Sequence, residues 1–182
     1  MSIKTNLFLV IIFGSFLWGC TTRADQNTPS STREPLEVYL VRHGEKVDQS
    51  RDPELSAAGY IRAATLAHTL RDVELEYIHS TDFIRTRKTA EPVAVTTGLE
   101  IEIYDPSDLK GFADDLILSG GRHLVVGHSN TTPRMVELLG GDSASEINEA
   151  NEYDRLYIVT IGLDGRVRTL LLRYGISYTP EY

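Results

Sequence analysis

Short apolar segments alternate with helix-like stretches along the chain between residues 36 and 172. Each apolar segment is followed by polar residues or glycine, and apolar residues between the segments recur at helical spacing. Strands that alternate with helices form a largely parallel sheet with helices packed on both faces. The chain is therefore predicted to be an α/β protein, a three-layer sandwich with a mostly parallel central sheet.

Six segments are predicted to be strands because they are apolar, short and bounded by turn residues. They are Leu36–Val41, a segment around Tyr77 and Ile78, Leu99–Ile103, Leu124–Val126, Leu156–Ile161 and Val167–Leu172. A turn at Asp164-Gly165 joins the last two, which predicts an antiparallel hairpin at one edge of the sheet.

Four helices are predicted between these strands from apolar stripes and capping residues. The first follows Ser56, the second runs from Phe83 to Gly98, the third covers Leu109–Ile117, and the fourth runs from Thr132-Pro133 to Gly140-Gly141. Pro92 lies inside the second helix, and a kink or an early end is expected there because proline lacks the backbone donor.

The N-terminus has the pattern of a secretory signal. The apolar run from Leu7 to Trp18 is too short to cross a bilayer as a helix and suits a signal h-region. Residues 17–20, Leu-Trp-Gly-Cys, resemble the cleavage box of bacterial lipoproteins. Residues 1–19 are therefore expected to be a lipoprotein signal peptide, with Cys20 lipidated. An ordinary secretory signal or an uncleaved anchor is the alternative.

Residues 20–35 are rich in Thr, Ser, Asn and Pro and are predicted to be a flexible tether. Residues 36–182 then form one domain, expected to be a monomer. A lipid anchor on Cys20 would attach it to a membrane of the bacterial cell envelope, facing the periplasm. Thr21 resembles the pattern of lipoproteins sent to the outer membrane.

The charge balance argues against nucleic acid as a partner. The chain carries 26 acidic and 18 basic residues, a formal net charge of -8. Such a chain has no basic excess with which to displace the counterions of a phosphate backbone. Any phosphate that it binds must be held by a local cluster of donors.

Two histidines follow predicted buried strands. His43 stands in Arg42-His43-Gly44-Glu45 after the first strand, and His128 follows the strand Leu124–Val126. In open α/β sheets, ligands bind at the carboxyl ends of the strands. The two histidines are therefore expected at a shared ligand site.

Three blocks in this order resemble the signature of the histidine phosphatase superfamily, in its phosphoglycerate mutase-like branch. They are residues 42–45 (Arg-His-Gly-Glu), residues 80–90 (Ser-Thr-Asp-Phe-Ile-Arg-Thr-Arg-Lys-Thr-Ala) and residues 125–128 (Val-Val-Gly-His). The resemblance extends from Leu36 to about Tyr174. The chain is short where larger relatives build a cap over the substrate, so it resembles a small member without a cap and with an open pocket.

The resemblance implies that His43 is the nucleophile. It implies that Arg42, Arg85 and His128 bind the phosphoryl group, with Ser129 as a further substrate contact. A neutral imidazole suits attack on a dianionic ester, which would repel an anionic nucleophile. Arginine forks match phosphate oxygens. A small phosphorylated substrate is the expected partner, and no metal or organic cofactor is expected.

Arg85 is chosen over its neighbours because the family's arginine stands four residues before a Thr-Ala pair. Here that pair is Thr89-Ala90. Arg87 and Lys88 are predicted to be solvated surface residues.

No proton donor is evident. Many relatives carry a carboxylate after the third strand, but the segment Tyr104–Phe112 lacks the usual acidic motif. Asp105 and Asp108 are the nearest candidates, with Glu45 and Asp52 behind them. Without an acid, phosphohistidine, phosphoramidate or acyl phosphate substrates would be favoured because their leaving groups depart readily.

Two functions remain open. One is a metal-independent phosphatase that hydrolyses a phosphomonoester or phosphoramidate through a phosphohistidine on His43. The other is a weakly active or inactive envelope lipoprotein that binds a phosphorylated or anionic ligand in the same pocket.

Overall fold

Six strands and four helices make up residues 34–179, the part of the chain that this computed structural model describes. The strands are β1 (Leu36–Arg42), β2 (Tyr77–Ser80), β3 (Ile101–Ile103), β4 (Gly121–Gly127), β5 (Arg155–Ile161) and β6 (Val167–Arg173). The helices are α1 (Ala57–Leu70), α2 (Ile84–Thr97), α3 (Leu109–Ser119) and α4 (Thr131–Leu138). The predicted signal peptide, the Cys20 lipidation site and nearly all of the tether lie outside the described residues.

The strands form one sheet in the order β3-β2-β4-β1-β5-β6. The pairs β2–β3, β2–β4 and β1–β4 are parallel, whereas β5 pairs antiparallel with both β1 and β6. The β5–β6 hairpin therefore forms one edge, and the predicted α/β sandwich is confirmed. Among the described residues, no helix is long and apolar enough to cross a membrane.

Two apolar clusters cover the two faces of the sheet. Because side chains alternate along a strand, Val38 and Leu40 of β1 point into one cluster, with α3 and α4. Tyr39 and Val41 point into the other, with α1 and α2. Helices therefore cover both faces of the sheet at β1, which gives a three-layer structure.

Two of the differences from the predicted elements concern Pro92 and the start of β4. Helix α2 continues through Pro92 to Thr97, so the expected early end is wrong. Ala90 and Val93, on either side of the proline, are both buried in the same cluster, and their packing holds the helix together. Strand β4 also begins at Gly121, earlier than predicted, because it pairs along all seven residues of β1.

The parallel pairing of β1 and β4 places the site. Arg42 lies opposite Gly127 in the register, so His43 and His128 both follow directly after paired positions. Gly44 allows the loop after β1 to pack closely against α1, because a Cβ at this position would lie 2.9 Å from the carbonyl oxygen of Gly59. The glycine of the motif therefore seats the first loop against α1.

Candidate active site

His43 is fixed at the end of β1 by two backbone contacts. Its amide donates to the carbonyl oxygen of Gly127 at 3.0 Å, and its Nδ1 lies 2.7 Å from the carbonyl oxygen of Gly44. A carbonyl oxygen can only accept, so Nδ1 carries the proton. Nε2 is then the nitrogen with a lone pair, the atom that a nucleophilic imidazole needs.

The charge state of His43 follows from its surroundings. Burial lowers the pKa of His43 to about 2, and the positive charges of Arg42 and Arg85 act in the same direction. The imidazole is only 2% exposed. His43 is therefore neutral at every pH at which the protein would work.

His128 lies beside His43 at the end of β4, with the two rings edge to face and their centroids 5.5 Å apart. Its Nδ1 is 3.4 Å from Nη2 of Arg85, and its Nε2 is 2.9 Å from Oγ1 of Thr81. Since a guanidinium only donates, Nε2 carries the proton and donates to the threonine. Burial, followed by the charge of Arg85, lowers the pKa of His128 to about 4.

Arg85, in the first turn of α2, is held by three groups. Its guanidinium lies 3.4 Å from Oδ1 of Asp52, 3.4 Å from Nδ1 of His128 and over the ring of Phe83. Asp52 also accepts from the amide of Ile84 at 2.9 Å and so caps α2. Asp52, a secondary proton-donor candidate from the sequence, thus aligns the arginine with the helix end.

Arg42 is occupied differently from the sequence prediction. Its Nη atoms donate to the carbonyl oxygens of Asn148, Glu149 and Glu152, and its guanidinium stacks on the ring of Tyr153. The side chain is 1% exposed, and Nε has no partner within the described residues. The two Nη groups, which were expected to bind a phosphate, therefore already donate to loop carbonyl oxygens. The Nε–H is the one donor of Arg42 without a partner among the described residues.

An open cavity of about 1020 Å³ lies at this rim of the sheet. His43, Arg85, His128 and Ser129 line it, so the structure brings together four residues singled out in the sequence. Arg42 is not among the lining residues and lies behind the wall formed by the loop it holds.

Lys46 and Glu149 line the cavity and were not singled out by the sequence analysis. Lys46 stands three positions after His43, and its Nζ lies 3.5 Å from Oε1 of Glu149. The hydroxyl of Ser129 donates to the other carboxylate oxygen of Glu149. Proximity to the motif could have indicated Lys46, whereas Glu149 is distant in sequence and carries no local signal.

The candidate proton donors Asp105, Asp108 and Glu45 lie elsewhere, and none of them lines this cavity. Asp105 accepts from the amide and hydroxyl of Ser107, which lowers its pKa, and Asp108 caps α3. Glu45 is bound by Arg62 of α1. The turn, cap and ion pair use up these carboxylates, so the expectation that one of them serves the site is not supported.

No group of three or more His, Cys, Asp or Glu side chains within residues 34–179 is arranged to hold a metal ion.

The fold and this rim define an α/β protein with a pocket of histidine and arginine side chains suited to a phosphate group. Residues 38–106 match the family model described as the histidine phosphatase superfamily (branch 1). This match covers 69 of the 182 residues and includes the first two of the three sequence blocks, residues 42–45 and 80–90.

Curated relatives match over part of the chain. The probable phosphoglycerate mutase GpmB of Escherichia fergusonii is 37% identical over 78 residues, which are 39% of this chain and 36% of that protein. The GpmB of Escherichia coli O1:K1 / APEC is 38% identical over 77 residues, 38% of this chain and 35% of that protein. The match thus spans about a third of the length of these relatives.

Solved structures resemble the whole domain. The protein histidine phosphatase SixA complexed with tungstate superposes with a TM-score of 0.61 at 20% identity, covering 76% of this chain and 97% of that chain. Phosphoglycerate mutase from Bacillus anthracis str. Sterne gives a TM-score of 0.58 at 18% identity, covering 77% and 93%. At these identities the likeness shows the fold.

Proposed function

We propose that this protein is a phosphatase that hydrolyses a phosphomonoester or phosphoramidate through a phosphohistidine intermediate on His43. The observation that carries the proposal is the state of His43. It is a buried, neutral imidazole whose Nδ1 is committed to Gly44, and its Nε2 is left for attack at the rim of an open cavity.

In the first step, Nε2 of His43 attacks phosphorus. The Nε2–P bond forms as the bond from phosphorus to the leaving group breaks, and the leaving group departs with the electron pair. Arg85 supplies positive charge and N–H donors for the phosphoryl oxygens, and Arg42 adds positive charge from behind the cavity wall. A dianion beside His128 favours protonation of its Nδ1, which turns that ring into a further donor.

In the second step, water attacks the phosphohistidine. The new O–P bond forms, the Nε2–P bond breaks, and the electron pair returns to Nε2 of His43. Inorganic phosphate is released, and the histidine regains the state seen in the structure.

Hydrolysis is favoured over mutase activity by the cavity. A mutase must retain its phosphorylated intermediate away from water, whereas this pocket of about 1020 Å³ is open at the rim. The matching relatives named as mutases share only about a third of their length with this chain.

Substrates with good leaving groups are favoured because Asp105, Asp108 and Glu45 are engaged outside the pocket. Phosphohistidine and other phosphoramidates fit this requirement. One structural neighbour is described as a protein histidine phosphatase, and its description supports testing this class first.

A binding protein without turnover is the second candidate. It is favoured by one observation, that the Nη atoms of Arg42 are already bound to loop carbonyl oxygens. Such a protein would hold a phosphorylated or anionic envelope component in the same pocket.

We also propose an envelope location, through a lipid on Cys20, from the sequence of residues 17–20. Labelling with a fatty-acid probe should mark the wild type and not Cys20→Ser, and the wild type should fractionate with membranes. An unlabelled wild type in the soluble fraction would contradict the anchor. The domain is expected to be monomeric, which light scattering during size-exclusion chromatography measures.

The test of the phosphatase proposal uses p-nitrophenyl phosphate and a radiolabelled phosphoryl donor. Wild type should release p-nitrophenol and take up an acid-labile, base-stable label. His43→Ala should do neither, while His68→Gln, a change of an exposed histidine on α1, should behave as wild type.

The opposite pattern supports the binding protein. If wild type neither hydrolyses the ester nor takes up label, while His43→Ala binds phosphate as wild type does, the phosphatase proposal is wrong.

A further inference from the structure

Glu149 holds its carboxylate at the wall of the histidine cavity. One oxygen accepts from the hydroxyl of Ser129 and lies 3.2 Å from Nη2 of Arg42, and the other lies 3.5 Å from Nζ of Lys46. All of these partners except Arg42 line the same cavity as His43. The carboxylate therefore faces the groups that would surround a phosphoryl group.

The segment that carries Glu149, residues 141–154 between α4 and β5, is fixed by a buried carboxylate. Glu152 is 3% exposed and accepts from Arg155 at 2.7 Å and from Arg173 at 2.7 Å. Its second oxygen accepts from the amide of Asn148 at 2.9 Å. The chain beside Glu149 is thus held in place before any substrate arrives, as a catalytic group requires.

The other acids of the cavity wall lack these contacts. Glu137 is bound by Arg134 at 3.0 Å and by the hydroxyl of Ser143. Within residues 34–179, Glu149 is the one carboxylate that both lines the cavity and contacts Arg42.

Glu149 is ionised at neutral pH. Burial by itself would raise its pKa, but the hydrogen bond from Ser129 and the charges of Arg42 and Lys46 outweigh burial, so the pKa is lowered. An ionised carboxylate can accept a proton but has none to give. Its chemistry therefore suits the step in which water is deprotonated.

We propose that Glu149 is the general base for hydrolysis of the phosphohistidine on His43, an assignment that rests on the phosphatase function proposed above. A water between the two residues gives a proton to the carboxylate as its oxygen attacks phosphorus. The Nε2–P bond breaks, its electron pair returns to Nε2, and inorganic phosphate leaves. Glu149 then releases the proton to solvent.

With Glu149 as the base, the two chemical steps depend on different groups. No acid protonates the leaving group in the first step, so its rate depends on the substrate. The second step depends on Glu149 whatever the substrate was. A variant without the base should therefore still form the phosphohistidine and then retain it.

The experiment is rapid-quench kinetics of Glu149→Gln with p-nitrophenyl phosphate. The first p-nitrophenol should appear within about threefold of the wild-type rate. Steady-state turnover should fall about 100-fold or more, the range of general base catalysis. Label on His43 should accumulate to nearly one per chain. Glutamine keeps an acceptor for Ser129, which limits structural change.

Two further measurements separate a base from a structural contact. Formate should restore turnover to Glu149→Ala by at least about tenfold, since a small carboxylate can take the place of the missing base. Asp142→Asn removes one negative charge from the same segment, at an exposed position that does not line the cavity, and should turn over within about threefold of wild type.

Three results would overturn the assignment. Turnover of Glu149→Gln at the wild-type rate with no trapped label would show that another group activates water. Tighter phosphate binding and faster turnover in Glu149→Gln would show that the Glu149 carboxylate competes with the phosphate for the positive charges of the cavity. If wild type itself takes up no label and releases no product, the phosphatase proposal fails and the assignment fails with it.

Discussion

Arg62 on α1 binds Glu45 of the Arg-His-Gly-Glu block through two nitrogens, with Nη2 2.7 Å and Nε 3.0 Å from Oε1. The remaining Nη1 donates to the carbonyl oxygen of Tyr174 at 2.7 Å. The acid of the motif is therefore used to tie the end of β1 to α1 and to the C-terminal segment.

Replacing Arg62 by methionine should lower the free energy of unfolding by about 3 kcal/mol, because a part-buried carboxylate loses its charged partner. Urea denaturation measures this change. Arg71→Met, on an exposed arginine paired with Asp72, should cost less than about 0.5 kcal/mol.

The double variant Arg62→Met with Glu45→Gln tests whether the loss of stability comes from an unpaired Glu45 carboxylate. Removing both partners should cost clearly less than the sum of the single changes. Additive losses would show that the two side chains contribute independently.

Arg85 and Arg87 provide a matched pair on α2. Arg85→Ala removes a guanidinium beside His128, so kcat/KM for p-nitrophenyl phosphate should fall about 100-fold, typical for loss of a charged donor to a transition state. Arg87→Ala removes a guanidinium bound to Asp82 at the surface and should change kcat/KM by less than about twofold. Equal losses would contradict the placement of the phosphate beside Arg85.

Buried histidines should make the fold sensitive to mild acid. Burial is the main cause that lowers the pKa of His43 to about 2 and of His79 and His128 to about 4. The unfolded chain binds these protons near pH 6.5 and the folded chain does not, so stability is full above pH 6.5 and falls below it. Between pH 7.5 and 5.5 each group should remove about 1.4 kcal/mol, so the three together should remove about 4 kcal/mol.

Urea denaturation at the two pH values measures this loss. His79→Leu should lose about 1.4 kcal/mol less than wild type over the interval. His68→Gln, at an exposed position, should follow wild type. Stability that is unchanged at pH 5.5 would show that these imidazoles accept protons in the fold.

The sequence located four residues of the cavity but not Glu149. His43 and His128 were found because each follows an apolar strand, and strand ends are visible in a local pattern. Arg85 was found through its spacing to Thr89-Ala90. Glu149 was missed because its segment reaches the site only after α4 has turned the chain back towards the sheet.

The predictions for Pro92 and Arg42 differ from what the structure shows. Pro92 was expected to kink or end its helix, and the early end is wrong because burial of Ala90 and Val93 outweighs the missing hydrogen bond. Arg42 was expected to present its fork to the ligand, but three carbonyl oxygens of residues 148–152 accept from it. In both cases a distant partner decided the outcome.

The amino-acid sequence by itself determined the α/β class, the strand ends that bear the two histidines, and the three blocks that resemble the histidine phosphatase superfamily. The class and the strand ends follow from hydrophobic periodicity, and the blocks from residue types at short spacing, so neither needs a long-range contact. The tertiary structure alone decided which nitrogen of His43 carries the proton and which carbonyl oxygens bind Arg42. It also decided that Glu149 lines the cavity whereas Asp105 and Asp108 do not. Those depend on hydrogen bonds between groups far apart in the chain, which exist only once the sheet and its helices have packed.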